Sequence, residues 1–473
     1  MGSRRMSKKR SSRNLMPFGA IIQLGSRLWN VSALSILILT SCNVLLMLRL
    51  LQTDCPANGS TNSATRSQSV ARPHVPPAPP AIIDLQFRHT LPITNLTSPL
   101  NADFQLGRWD TTRSIKMVDH VIVGDDFRSL STRYSVCLAT QSSVERLHSL
   151  VEVAHHWTGP ISAALFAAGD DELSVLQGYI EFLRRCYAPV RERVSFHVAF
   201  PKERLPTHIF VTDKISSFDC ALPEASLQQL LHLRSAETVR WRLRNPYPQN
   251  HLRNLARKNC QTTHVFLTDI DIVPSSDLAQ GVDTFLKADT CKRLCAYVIP
   301  TYELDPRVTF PPNKSELVRL TTRGLARPFH HKVFIYNQYA TNFSRWEEDI
   351  ESKAVHVSHS VTNFEFLYEP FYIAPDTVPP HDERFIGYGF TRNTQVYEMF
   401  VVGYEFLVLS PVFTIHWGLQ NRKGRPSWRE RQNTNNRKNF DQFKREVFAR
   451  YNKDPLNMVV NKSKDQVNSY KTK

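Results

Sequence analysis

Two aspartates separated by one isoleucine, Asp269 and Asp271, close the apolar run in "HVFLTDIDIVPSSDL" (264–278). In an extended chain successive side chains alternate faces. Val265, Leu267, Asp269 and Asp271 are therefore expected on one face, with Phe266, Ile270 and Ile272 on the other. At ~3.3 Å per residue the two carboxylates then stand roughly 7 Å apart, and they repel unless a positive charge lies between them. A divalent cation that prefers oxygen ligands, magnesium or manganese, meets that requirement. Asp-x-Asp is a weak motif by itself, since solvated loops carry it too. Here it is the chain's one instance and it follows a strand-like run.

The elements that must position these groups read as strands alternating with helices. "YSVCLAT" (134–140) is expected as a buried strand, "VERLHSLVEVAHHW" (144–157) as an amphipathic helix and "ISAALFAA" as a second strand. A helix at "ELSVLQGYIEFLRRCY", a strand at "VSFHVAF" and a helical stretch at 250–258 lead to the strand that carries the aspartates. Such alternation predicts an α/β domain with a mostly parallel sheet and flanking helices, whose ligands collect beyond the carboxyl ends of the strands. Thr140, Gln141, Asp269 and Asp271 all fall at such ends.

Charge and hydropathy place this domain in a compartment. Eight basic residues and no acidic one precede Asp54, which leaves 51 Lys and Arg against 43 Asp and Glu in the rest of the chain. The body is only mildly basic and lacks zinc-finger, RNA-recognition and helix-turn-helix signatures, which argues against a nucleic-acid partner. "VSALSILILTSCNVLLMLRLL" (31–51) is uncharged up to Arg49 and long enough for a tilted bilayer span. The basic residues before it keep the amino terminus cytosolic, so the bulk is expected in the lumen as a single-pass type II protein. Asn-x-Ser/Thr sequons at Asn58, Asn95, Asn313, Asn342 and Asn461 fit a lumenal location, as do six cysteines at 137, 186, 220, 260, 291 and 295. Three disulfides among six cysteines allow 15 pairings, and spacing does not choose among them. The expected organisation is a cytoplasmic tail (1–30), an anchor (31–51), a partly disordered stem (52–132), a catalytic domain (133–425) and a basic carboxy-terminal helix and tail (426–473).

Paired aspartates at a strand end are how many nucleotide-sugar transferases hold a cation against a diphosphate. "YEPFYIAPDTVPPHDERFIGYGFTRNTQVYEMFVVGYEFLVLSPVFTIHWG" (368–418), with "NPYPQNHLRNLARKN" (245–259) and "FLTDIDIVPSSDL", resembles glycosyltransferase family 49, from about Tyr134 to Gly418. The resemblance implies a GT-A fold, a Rossmann-like domain that uses a UDP-sugar and manganese, with magnesium as the alternative ion. It makes Asp269 and Asp271 the metal-binding pair and His416 in "IHWG" the late metal ligand. It likens Thr140 and Gln141 to first-strand contacts with the uridine, and Asn250, Arg253 and Asn254 to a helix lining the nucleotide. Lys423 is likened, more loosely, to the lysine that follows His-x-x-Gly in related transferases, a cofactor-binding residue.

The implied reaction is inverting transfer of a sugar to a glycan or glycoprotein hydroxyl in the Golgi lumen, with glucuronic acid from UDP-glucuronate as the expected donor, as in O-mannosyl glycan synthesis on dystroglycan. It needs a base, for which Asp382 and Glu383 in "PPHDERFIGYG" are the candidates. Arg384, Arg323 and Arg327 are the candidate partners of a glucuronate carboxylate. Another UDP-hexose or UDP-N-acetylglucosamine donor, or an inactive glycan-binding relative, are the competing readings. Besides donor, acceptor and membrane, association with itself or with other Golgi transferases is open.

Overall fold

The computed structural model describes residues 106–207, 218–288, 291, 293–349, 352–422 and 426–459. The anchor at 31–51, the stem up to 105, Lys423 and the sequons at Asn58, Asn95 and Asn461 lie outside the described residues. Among the described residues no helix is long and apolar enough to cross a membrane.

Fourteen strands are described: β1 (Arg108–Trp109), β2 (Ile115–Ile122), β3 (Val136–Ser143), β4 (Ile161–Phe166), β5 (Val194–Pro201), β6 (His264–Leu267), β7 (Ile272–Pro274), β8 (Cys295–Ile299), β9 (Thr301–Leu304), β10 (Ala326–Pro328), β11 (His356–Ser360), β12 (Phe371–Pro375), β13 (Glu405–Ser410) and β14 (Thr414–Trp417). Ten form one sheet in the order β1-β2-β5-β4-β3-β6-β12-β8-β13-β11, and four form a second in the order β10-β9-β14-β7. The expectation of a mostly parallel sheet is corrected. The segment β5-β4-β3-β6 is parallel, but β12 inserts antiparallel between β6 and β8. Helical crossovers account for the first half; a return strand from far along the chain fills the second.

The parallel segment buries both faces, so its strands read as continuous apolar runs rather than alternating ones. Leu138, Ala163, Leu165, Phe196 and Val198 belong to one large core cluster. The opposite face presents the small residues Ala139, Ala164 and Ala199, on which Leu252, Leu255 and Ala256 pack. Those three share a stripe of the helix Gln249–Lys258 at the i, i+3, i+4 spacing. Small residues in the strands let the helix approach closely enough for Ser162 Oγ to donate to the Ala256 carbonyl at 2.7 Å.

Two boundaries move. Residues 106–132, expected in the stem, contain β2, which pairs antiparallel with β5, and the helix Phe127–Arg133. The folded domain therefore begins before position 133. At the other end, the helix Ser427–Tyr451 is part of that body: Phe440, Phe443 and Val447 form a core cluster with Phe385, Phe390 and Tyr397. The cysteines pair as Cys137–Cys260, Cys186–Cys220 and Cys291–Cys295.

Candidate active site

Asp269 and Asp271 are not on a strand. β6 ends at Leu267, and the aspartates occupy a turn closed by Ile272 N–H donating to the Asp269 carbonyl at 3.1 Å, after which β7 starts in the other sheet. Buried Ile270 pins the turn between the two sheets. The turn replaces the extended chain expected there, yet both carboxylates still line one cleft.

Each carboxylate has its own partner. Asp269 Oδ1 accepts from Arg392 Nη2 at 2.8 Å, from Arg253 Nη2 at 3.2 Å and from Gln141 Nε2 at 3.4 Å. Burial disfavours its charge, but Arg392 and Arg253 outweigh that and hold the carboxyl at about 2. Asp271 Oδ2 faces His416 Nε2 at 3.7 Å, and its charge also acts on His148. His416 reaches it because β14 pairs antiparallel with β7, which sets His416 opposite Ile272.

A second set of contacts orients the histidine. Gln420 Nε2 lies 3.3 Å from His416 Nε2, and the Gln420 backbone N–H donates to Glu303 Oε2 at 3.0 Å. Buried Glu303 also accepts from Arg327 Nε at 2.7 Å and from the His330 backbone N–H at 3.0 Å. Burial, with His416 nearby, pushes the His330 imidazole down to about 4.

A cleft of about 250 Å³ opens beside the turn, lined by Gln141, Ser143, Arg146, Tyr247, Asp269 and Asp271 among others. It lies beyond the carboxyl ends of β3 and β6, where parallel sheets bind ligands. A larger open pocket, of about 490 Å³, includes Tyr134, Thr158 and Arg193, which precede β3, β4 and β5. We assign the site to the smaller cleft, because it holds the acidic turn.

The sequence candidates divide. Gln141 lines the cleft and accepts from the Tyr247 hydroxyl at 2.6 Å. Thr140 does not: β3 runs on to Ser143, so Thr140 is interior and its buried hydroxyl has no hydrogen-bond partner among the described residues. Arg253 reaches Asp269, and Asn250 supports it by accepting from Arg253 Nη1 at 3.1 Å.

Asp382 and Glu383 are not among the residues lining the cleft. The Asp382 carboxylate is held by Arg384, which also grips Glu446. Glu383 accepts from Asn254 Nδ2 at 3.0 Å and faces His251 Nε2 at 3.7 Å. His251 in turn stands 3.5 Å from Asp110 Oδ2, and ligand atoms of Asp110, His251 and Glu383 all lie within 4.8 Å of one another, a spacing that could hold a metal ion. Both oxygens of Asp110 already accept hydrogen bonds from Thr112, Ser114 and Ile115, so an ion there would have to displace them.

Arg384 is thus committed and Arg323 is exposed, whereas Arg327 touches Glu303 and the carbonyl of Gln420 beside His416. Sequence reasoning missed Arg392, Tyr247 and Gln420. Arg392 sits in "GFTRN", where nothing local marks it as the partner of a residue 123 positions earlier.

A carboxylate and an imidazole converge at Asp271 and His416, a mixed oxygen and nitrogen set that suits manganese.

An α/β domain with such a cleft at the ends of its parallel strands has the architecture in which ligands collect at that edge. The comparisons narrow the class. Residues 135–452 match the glycosyltransferase family 49 profile, described as "Glycosyl-transferase for dystroglycan". The chain is 31% identical over 335 residues to beta-1,4-glucuronyltransferase 1 of Homo sapiens, covering 68% of this chain and 77% of that protein. Against the Danio rerio protein of that name identity is 30% over 332 residues, covering 68% and 75%. Against the xylosyl- and glucuronyltransferase LARGE2 of Mus musculus it is 29% over 290 residues, covering 60% of this chain and 34% of that one. This chain belongs to glycosyltransferase family 49 and is a glycosyltransferase.

Proposed function

We propose that this chain is a manganese-dependent, inverting glucuronyltransferase of GT-A type, which moves glucuronic acid from UDP-glucuronate to a hydroxyl of a glycan in the Golgi lumen. The observation that carries the reading is the approach of His416 to within 3.7 Å of Asp271, which lines the cleft beside Asp269. The names of the similar proteins support glucuronate as the sugar, and the apolar run at 31–51 with its upstream basic residues supports a type II anchor.

The residues divide the work. Gln141, Tyr247 and Arg146 line the cleft on the nucleotide side. Arg253 and Arg392 fix Asp269 and keep it ionised. Asp271 and His416 would hold manganese, which when bound neutralises charge developing on the departing diphosphate. Arg327, ion-paired to buried Glu303 and bonded to the Gln420 carbonyl, braces the segment that carries Gln420 beside His416.

The test is release of UDP by the purified chain with manganese and a glycan acceptor, comparing UDP-glucuronate with UDP-xylose and UDP-N-acetylglucosamine. Turnover with UDP-glucuronate that vanishes with chelator and in Asp271→Ala is expected. Preference for another donor sinks the glucuronyl part of the reading, and activity untouched by Asp271→Ala sinks the metal part.

A further inference from the structure

Arg146 is the one cation among the described residues that line the cleft, which it shares with Asp269 and Asp271. It is exposed, and among the described residues it has no ion-pair or hydrogen-bond partner. The other arginines around the site are committed to protein carboxylates. Arg253 and Arg392 hold Asp269, Arg234 and Arg242 hold buried Glu172, and Arg327 holds buried Glu303.

The backbone under Arg146 is anchored although its side chain is uncovered. Arg146 lies in the 3₁₀ helix Val144–Ser149, which follows directly on β3. Val144 and Leu147, on either side of it, are fully buried in the main core cluster. Glu145 is ion-paired with Arg234, which also binds Glu172. The guanidinium therefore meets the cleft from a fixed base, which lowers the cost of ordering it around a ligand.

Charge decides what such a group can recognise. A guanidinium without a counter-ion, on the wall of a cleft, attracts an anion. UDP-glucuronate offers two anionic groups, the diphosphate and the carboxylate on the sugar ring. The reading above gives the diphosphate to the acidic turn. The carboxylate is then left with Arg146, and its paired oxygens match the guanidinium fork. A neutral hexose donor carries a hydroxymethyl group at that place and gains nothing from the cation.

We infer that Arg146 is the specificity-determining residue of this transferase, pairing with the carboxylate of the glucuronate donor and so selecting it over neutral sugar nucleotides. The inference rests on the glucuronyl reading given above.

The test measures binding by calorimetry, using the full-length chain in detergent with manganese and no acceptor. The wild type is expected to bind UDP-glucuronate more tightly than UDP-glucose. Arg146→Ala is expected to weaken UDP-glucuronate on the order of 10- to 100-fold, while UDP and UDP-glucose bind as they do to the wild type. Arg146→Lys keeps the charge without the fork and should recover part of the loss. An unchanged affinity of Arg146→Ala for UDP-glucuronate overturns the inference. So does a loss shared equally by UDP and UDP-glucose, which puts the cation on the diphosphate instead. Both results leave the transferase reading in place. A wild type that binds UDP-glucose as tightly as UDP-glucuronate and transfers another sugar in preference overturns the glucuronyl reading, and this assignment with it. Should Arg146→Ala fail to fold, Arg146→Lys carries the same comparison with a smaller expected loss.

Discussion

Arg392 Nη2 stands 2.8 Å from Asp269 Oδ1, on the oxygen that Arg253 Nη2 approaches at 3.2 Å. The first aspartate of the motif is therefore neutralised by protein cations, and only the second is free to face His416 and an ion. The motif's two carboxylates avoid repulsion by dividing their partners rather than sharing one.

That division predicts unequal effects on stability. Asp269→Asn leaves two guanidiniums pressed together without their counter-charge. Asp269 is 33% exposed, so the expected loss is scaled down from that of a fully buried pair, to about 1–2 kcal/mol. Thermal melting of Asp269→Asn beside Asp271→Asn checks this, with the larger drop in Tm expected at position 269.

Metal affinity should show the opposite order. Asp271→Ala and His416→Ala remove converging donors, and each is expected to weaken manganese binding on the order of 100-fold or more. Titration followed by electron paramagnetic resonance reads this directly, with circular dichroism confirming an unchanged fold. Gln420→Ala, which frees the imidazole from its neighbour, should cost less than either ligand.

Acid should destabilise the fold well before carboxylates titrate. Burial lowers His156 to about 4, His197 to about 3 and His330 to about 4, each below the unperturbed 6.5. The folded state therefore binds fewer protons than the unfolded chain in this window. The stabilisation from the neutral rings is complete above pH 6.5 and is lost as pH falls towards 4. Asp269, held at about 2, adds a further loss below the ordinary carboxylate value of 3.8. Melting curves from pH 7.5 to 4.5 should show Tm falling with pH, and His156→Gln should shrink the fall.

The carboxy-terminal helix should be indispensable. Asn436 Nδ2 approaches three carbonyls, of Ile386, Tyr388 and Gly389, at 3.1, 3.1 and 2.8 Å. Gly389 has φ of +91° and lies under the helix, where an added Cβ would collide with Asn433 Oδ1. Asn436→Ala leaves these carbonyls short of a donor in a buried place, an expected cost of about 2–3 kcal/mol. Urea unfolding measures it, and a change under about 0.5 kcal/mol, the scale of an ordinary surface substitution, would show that the clamp contributes nothing.

The early strands and helices were legible because their signal is local. "ISAALFAA" and "VSFHVAF" are short apolar runs bounded by polar residues, and they become β4 and β5. The helix at 250–258 was legible from its apolar spacing and is observed as Gln249–Lys258. The stretch 144–157 begins instead as a 3₁₀ helix, Val144–Ser149, before the α-helix Leu150–His156.

What the sequence alone determined was thus the alternation of elements, the acidic pair, the cysteine number and, through its ordered motifs, the family. Each of these is a matter of residue type and short spacing. Only the tertiary structure decided that β12 returns antiparallel beside β6, that Cys137 joins Cys260, that Arg392 joins the nearer Arg253 in gripping Asp269, and that Asp382 and Glu383 stay outside the cleft. Those pairings link residues up to 123 positions apart. They are set by which faces are buried together when the sheets close, and local periodicity carries no record of that choice.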